Sequence, residues 1–149
     1  MIRQKDGFTL IELLVVIAII GILSSIVLAS LNTARGKGND AKVKAQLAGL
    51  RASAEVYNDT NSNYGTVASN SCTDLVPDFF EDVDSGMLQY TTQGNYPTDA
   101  TLSCRTDGTA YAVSALLPGA GGTNSWCVDS AGNSKAEGAA LGAGIVVCP

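Results

Sequence analysis

Gly7-Phe8-Thr9-Leu10-Ile11-Glu12-Leu13-Leu14-Val15-Val16-Ile17-Ala18-Ile19-Ile20-Gly21-Ile22-Leu23 is the stretch from which the rest of this chain is read. No residue from Leu13 through Gly21 to Leu31 is charged. That length is close to the ~20 apolar residues a helix needs to cross a bilayer. Glu12 stands alone at the start of the segment. A carboxylate left unpaired in hydrocarbon costs roughly 2.5–3.5 kcal/mol at mid-helix on insertion scales, and less near an end. It calls for a partner.

The residues before the run, 1–7, carry Arg3 and Lys5 and have no apolar region of their own. An ordinary secretory signal has an apolar region ending at a small-residue cleavage site. No such site follows this run, so the apolar part is expected to remain in the mature protein. Arg3 and Lys5 keep the leader on the cytoplasmic side and place the C-terminal part outside, by the positive-inside tendency. Lys37, Lys42 and Lys44 beyond the run pull weakly the other way, and the four cysteines favour export.

A short basic leader, the Gly7-Phe8 junction, Glu12 five residues beyond the glycine and the unbroken apolar run resemble the type IV pilin and type II secretion pseudopilin superfamily. The resemblance covers residues 1–31. It implies cleavage after Gly7 by a prepilin peptidase, N-methylation of the new Phe8 terminus, and a part for Glu12 in subunit assembly. The new amine lies about one helical turn from Glu12. In a packed fibre that amine and a neighbour's Glu12 can pair. A buried pair adds little net stability, yet a lone partner is expensive, which suits a device for register. The resemblance further implies, as partners, an assembly ATPase acting indirectly through an inner-membrane platform, and other pilin subunits as a homopolymer.

Residues 32–58 are more polar but keep a helical period. Val43, Leu47, Leu50, Ala54 and Tyr57 are spaced four, three, four and three apart, a single apolar stripe. The stripe needs a sheet to lie on and is too short for a coiled coil. Gly36 and Gly38 each cost a helix interior about 1 kcal/mol relative to Ala, so the helix is expected to loosen there. Unbroken from Phe8 to about Asn58, it would be roughly 75 Å long.

Residues 59–149 turn to Asn, Ser, Thr and Gly with short β-like runs. Asn61-Ser62-Asn63-Tyr64-Gly65 reads as loop, and Cys72 to Phe80 as a helical turn or two broken near Pro77. Strands are expected at 100–104, 109–117 and 125–129, the first two joined through Arg105-Thr106-Asp107-Gly108, a hairpin signal. A fourth is expected at 144–148. The Gly/Ala-rich tract 138–144 before it reads equally as a close-passing segment or a flexible tail. The architecture is α+β: a long N-terminal helix packed on a small antiparallel sheet, the pilin fold that the resemblance also implies.

Cys72, Cys104, Cys127 and Cys148 all lie in this last part, an even set that reads as two disulfides. Four cysteines allow three pairings. The reading leans to Cys72 with Cys104 and Cys127 with Cys148, each closing a segment of the loop-rich head. The chain has no His and no close Cys-x-x-Cys pair, which argues against zinc. Asp74, Asp78, Glu81, Asp82 and Asp84 form an acidic cluster, with Asp99, Asp107 and Asp129 at strand edges. It lacks the EF-hand pattern and reads as a solvated acidic face.

Residues 8–58 carry net charge +2 and residues 59–149 net charge −8. An acidic head repels phosphate, so direct nucleic-acid binding is not expected. Without His, Ser or Cys catalysis lacks its usual base, and Gly119–Gly122 is not followed by the Lys-Ser/Thr of a phosphate loop. No enzymatic role, cofactor or metal is expected. The leading expectation is a structural pilin parked in the cytoplasmic membrane before polymerising. A type II secretion pseudopilin, or a minor tip pilin binding through Tyr64, Tyr90, Tyr96 and Trp126, are the alternatives.

Overall fold

The computed structural model describes residues 7–73 and 78–149. Arg3 and Lys5 of the leader, Asp74 and the break expected at Pro77 lie outside the described residues. The chain forms two compact units, one ending at Arg35 and the other spanning Gly36–Pro149. Helix α1, Leu10–Asn61, contributes to both.

In the second unit α1 buries Val43, Leu47, Leu50, Ala54 and Tyr57, the stripe that the spacing predicts. They pack on an antiparallel sheet whose strands lie in chain order: β1 (Tyr64–Ser69), β2 (Leu102–Gly108), β3 (Tyr111–Leu116), β4 (Ser125–Asp129) and β5 (Ser134–Glu137). Side chains alternate across a strand. Cys104, Tyr111, Val113 and Val128 therefore face the helix, and Ala112, Ser114, Cys127 and Asp129 face away. Between β1 and β2 the chain inserts a 3-10 turn at Phe79–Glu81 and a short helix α2, Met87–Thr91. Phe79 centres the core, its ring 5.1 Å from Tyr57, 5.6 Å from Tyr64 and 5.3 Å from Tyr111.

The sheet corrects several strand expectations. The hairpin loop is Gly108-Thr109, because Thr106 pairs with Tyr111 and the Asp107 N–H reaches the Ala110 carbonyl. Gly108 takes φ +87°, the positive value that a glycine-first hairpin turn demands. The 144–148 segment forms no strand, while β1 and β5 form where none was expected. Tyr64 and Gly65, read as loop, begin β1. Strand β5 is an edge strand with mostly exposed residues, so no apolar alternation marks it.

Expected loosening at Gly36 and Gly38 does not occur: α1 is continuous across both. Gly36 serves a contact instead. A β-carbon there would lie 2.9 Å from the Cα of Gly119, in the turn Pro118–Ala120, and one on Gly119 would lie 2.6 Å from the Gly36 carbonyl. The Gly119 N–H donates to Asp40 Oδ1 at 2.7 Å, holding the turn against the helix. Gly38 has open space around it. Gly36→Ala is therefore expected to destabilise the second unit by about 1–3 kcal/mol through the clash. Gly38→Ala is expected to stabilise it by up to about 1 kcal/mol through helix propensity. Thermal unfolding of the two variants, two positions apart and opposite in sign, checks the pair.

Candidate functional site

The first turn of α1 gathers the residues that the sequence marks. Thr9 precedes Leu10 and acts as N-cap. Its backbone N–H donates to Glu12 Oε2 at 2.9 Å and its hydroxyl to the same oxygen at 2.7 Å, while the Glu12 N–H reaches the Thr9 hydroxyl at 3.2 Å. This reciprocal arrangement is a capping box, satisfying helix-terminal donors that otherwise lack partners. Glu12 is thus partnered within its own chain, which the sequence reading missed. The signal was present: Thr9-x-x-Glu12 directly before an apolar run.

Phe8, beside the box, is 86% exposed. Every residue from Leu10 to Leu31, including Leu13, Gly21 and Leu31, is exposed as well. Within this stretch the Ser25 hydroxyl donates to the Ile22 carbonyl at 2.8 Å, so its polar group needs no outside partner. Among the described residues, α1 is one helix long and apolar enough to cross a membrane. An exposed apolar surface of that extent marks a site of contact with a membrane or with another protein.

The cysteines do separate work in the second unit. Cys72 bonds to Cys104 on the helix side of β2, and Cys127 to Cys148 on the outer side of β4. The Gly/Ala-rich tract crosses that outer face as a strap. Leu141 and Cys148 pack with Ala112 and Cys127. Arg105 clamps the strap by donating to the carbonyls of Gly142 at 2.7 Å and Leu141 at 3.0 Å, and also to that of Asn70 at 2.6 Å.

Asp129 is 1% exposed and accepts hydrogen bonds from the Asn133 side chain at 2.7 Å and the Cys148 N–H at 2.8 Å. Burial pushes its carboxyl up, but the bonds from the Asn133 side chain and from the Cys148 and Asn133 backbone outweigh this and hold it below the ordinary value. A depressed carboxylate contributes stability above its unfolded pKa and loses it as pH falls through the folded value. Melting temperature is therefore expected to fall below about pH 4, the ordinary carboxylate range. Asp129→Asn should flatten that fall while costing about 1–3 kcal/mol at neutral pH through its broken hydrogen bonds.

Other acidic residues of the cluster serve local structure. Asp78 accepts from the Tyr57 hydroxyl at 2.9 Å and from the Thr66 N–H at 2.6 Å, capping the outer edge of β1. Burial, then the bond to Asp78, pushes the Tyr57 phenol up to about 12. Asp82 accepts from the Ser85 N–H at 2.7 Å. Among the described residues no three acidic or sulfur side chains converge where a metal ion could sit. Of the aromatics weighed as ligand contacts, Tyr64 and Tyr96 are buried, and Tyr90 and Trp126 pack half-buried on the core. Lys44 lies 4.4 Å from the Trp126 ring centre, a cation–π contact within the subunit.

Comparison with known families finds a match at this N-terminal end. Residues 2–28 match the family model described as the prokaryotic N-terminal methylation motif. The chain is 45% identical over 62 residues to the type IV wide pilus major component PilA4 of Thermus thermophilus, covering 42% of this chain and 47% of that one. It is 41% identical over 64 residues to the type II secretion system core protein G of Klebsiella pneumoniae (43% of this chain, 46% of that one). To the Escherichia coli protein of the same name it is 37% identical over 63 residues (42% and 43%). The matches span less than half the length of each of these relatives. No solved structure matches the chain.

Proposed function

We propose, from a chain that opens on a prokaryotic N-terminal methylation motif, that the protein is a non-catalytic structural subunit of a type IV pilus-like filament. Residues 1–7 are a leader, 8–31 a membrane and assembly helix, 32–58 a stem and 59–149 a head outside the cytoplasmic membrane. A prepilin peptidase cuts after Gly7 and Phe8 becomes the methylated terminus. The observation that carries this reading is the junction itself: Gly7-Phe8, a capped helix start at Thr9-Glu12, then an exposed apolar helix to Leu31.

Such a helix sits in lipid as comfortably as against other helices, so transfer from membrane to fibre core changes its surroundings little. Assembly through unlike surfaces that do not close gives an open filament. The machinery required is an assembly ATPase working through a membrane platform, together with further copies of the chain. Adhesion, motility and uptake are the outputs open to such a fibre, with no direct nucleic-acid contact by the acidic head. Filaments labelled along their length by immunogold against the head support a main subunit. Label confined to the tip supports a minor one, and the absence of labelled filaments contradicts the proposal.

A second reading, a pseudopilin of a type II secretion system, is favoured by the relatives that bear the name core protein G. It keeps every residue role above and changes the fibre to a short piston. A gene neighbourhood encoding a secretin and secretion ATPase, against one encoding a retraction ATPase, separates the two.

A further inference from the structure

On the side of α1 opposite its buried stripe, a second line of residues follows the same period. Lys37, Ala41, Ala45, Ala48, Ala52, Glu55 and Asp59 are spaced four, four, three, four, three and four apart, and all are exposed. Seven positions within about a quarter turn form one face of a helix. Its two ends carry opposite charge, Lys37 at the start and Glu55 with Asp59 at the finish. The acidic end is extended by Asp82 and Asp84, which line a cavity with Val56 and Thr60. The one ion pair among the described residues joins Lys135 to Glu137, so none of the described residues forms an ion pair with Lys37, Glu55 or Asp59; Glu55 accepts only the Tyr64 hydroxyl, at 3.1 Å.

We propose that this face is a contact surface for a second copy of the chain, lying parallel and displaced along α1 so that Lys37 of one copy meets Glu55 and Asp59 of the other. The helical rise sets the displacement. Lys37 and Glu55 are 18 positions apart and Lys37 and Asp59 22, or about 27 Å and about 33 Å along the axis. A shift of about 30 Å brings the opposite ends together. Unshifted copies would set like charges side by side, which electrostatics opposes. The alanines between the charges let a neighbouring helix approach closely. Because each copy offers its acidic end upward and its basic end downward, the contact repeats without closing. The parallel orientation rests on the filament reading above.

A zero-length carbodiimide, which joins an ammonium to a carboxylate only when they touch, tests the contact in full-length protein in membranes and fibres of assembling cells. Within one chain Lys37 and Asp59 are too far apart along the helix to be joined. A peptide linking Lys37 to Asp59 or Glu55 therefore reports two copies, and it is the expected product in the dimeric band. In the same cells Lys37→Glu and Asp59→Lys are each expected to lower filament yield about fivefold, and the double variant to restore it. Filaments that form without the linked peptide, or single reversals with wild-type yield, overturn this surface and leave the pilus proposal standing. The linked peptide from cells that build no filament overturns the pilus proposal and upholds the surface.

Discussion

Glu12→Ala is expected to leave the protein in the membrane at normal abundance and to abolish filaments. Two separable interactions meet at this carboxylate. Within the chain, Glu12 Oε2 accepts both the N–H and the hydroxyl of Thr9. Loss of such a cap costs a helix end about 0.5–2 kcal/mol. Between chains, the proposed role is to pair with the amine of a neighbour's Phe8, where a lone charge in an apolar fibre core costs about 3–5 kcal/mol. The larger penalty belongs to the charge.

Variants divide the two. Thr9→Ala removes half of the capping box and keeps the carboxylate, so filament yield should fall only modestly. Glu12→Gln keeps an oxygen acceptor for Thr9 but removes the charge, and it should fail as completely as alanine. Electron microscopy of sheared filaments, with an immunoblot of the membrane fraction, reads both. Normal filaments from Glu12→Gln would reduce Glu12 to its local capping role.

Opening the Cys127–Cys148 disulfide, by replacing both cysteines with alanine, is expected to cost the second unit about 3 kcal/mol. The bridge spans 21 positions, and closing a loop of that size in the unfolded chain accounts for roughly that amount in the chain-entropy model. For a unit of this size the loss corresponds to a fall of roughly 10 °C in melting temperature. The strap would not be released entirely, because Arg105 still holds the Leu141 and Gly142 carbonyls and the Cys148 N–H still reaches Asp129. Adding Arg105→Ala to the cysteine variant should therefore lower the melting temperature by more than the two changes sum to separately, since both hold one segment. A melting temperature unmoved by loss of the bridge would show that the strap adds nothing to stability.

How much was legible follows from what each element needs. The α+β architecture was, because a stripe at Val43, Leu47, Leu50, Ala54 and Tyr57 has one physical solution, burial against another layer. The methylation motif was, because Gly7-Phe8, Glu12 and the apolar run together carry the resemblance to pilins and pseudopilins. Strands β1 and β5 were not. Ser134–Glu137 pairs through its backbone with β4 while its side chains face solvent, and pairing of that kind leaves no apolar pattern. Gly36 was misread because propensity counts only its cost to the helix. Its benefit lies 83 positions away at Gly119, a contact that only the folded chain brings together. The strap was ambiguous for a similar reason: small residues suit both a close crossing and a loose tail, and Arg105 with Asp129 decides between them.

The central claim is that the N-terminal run is a temporary anchor, cut at Gly7 and carried into a fibre. Mass spectrometry of the subunit from sheared surface filaments tests it most directly. The account predicts a chain beginning at Phe8, heavier than the unmodified 8–149 sequence by the net CH2 of one N-methylation and lighter by the four hydrogens lost in two disulfides. A chain that keeps residues 1–7, found only in the membrane and never in filaments, would contradict it.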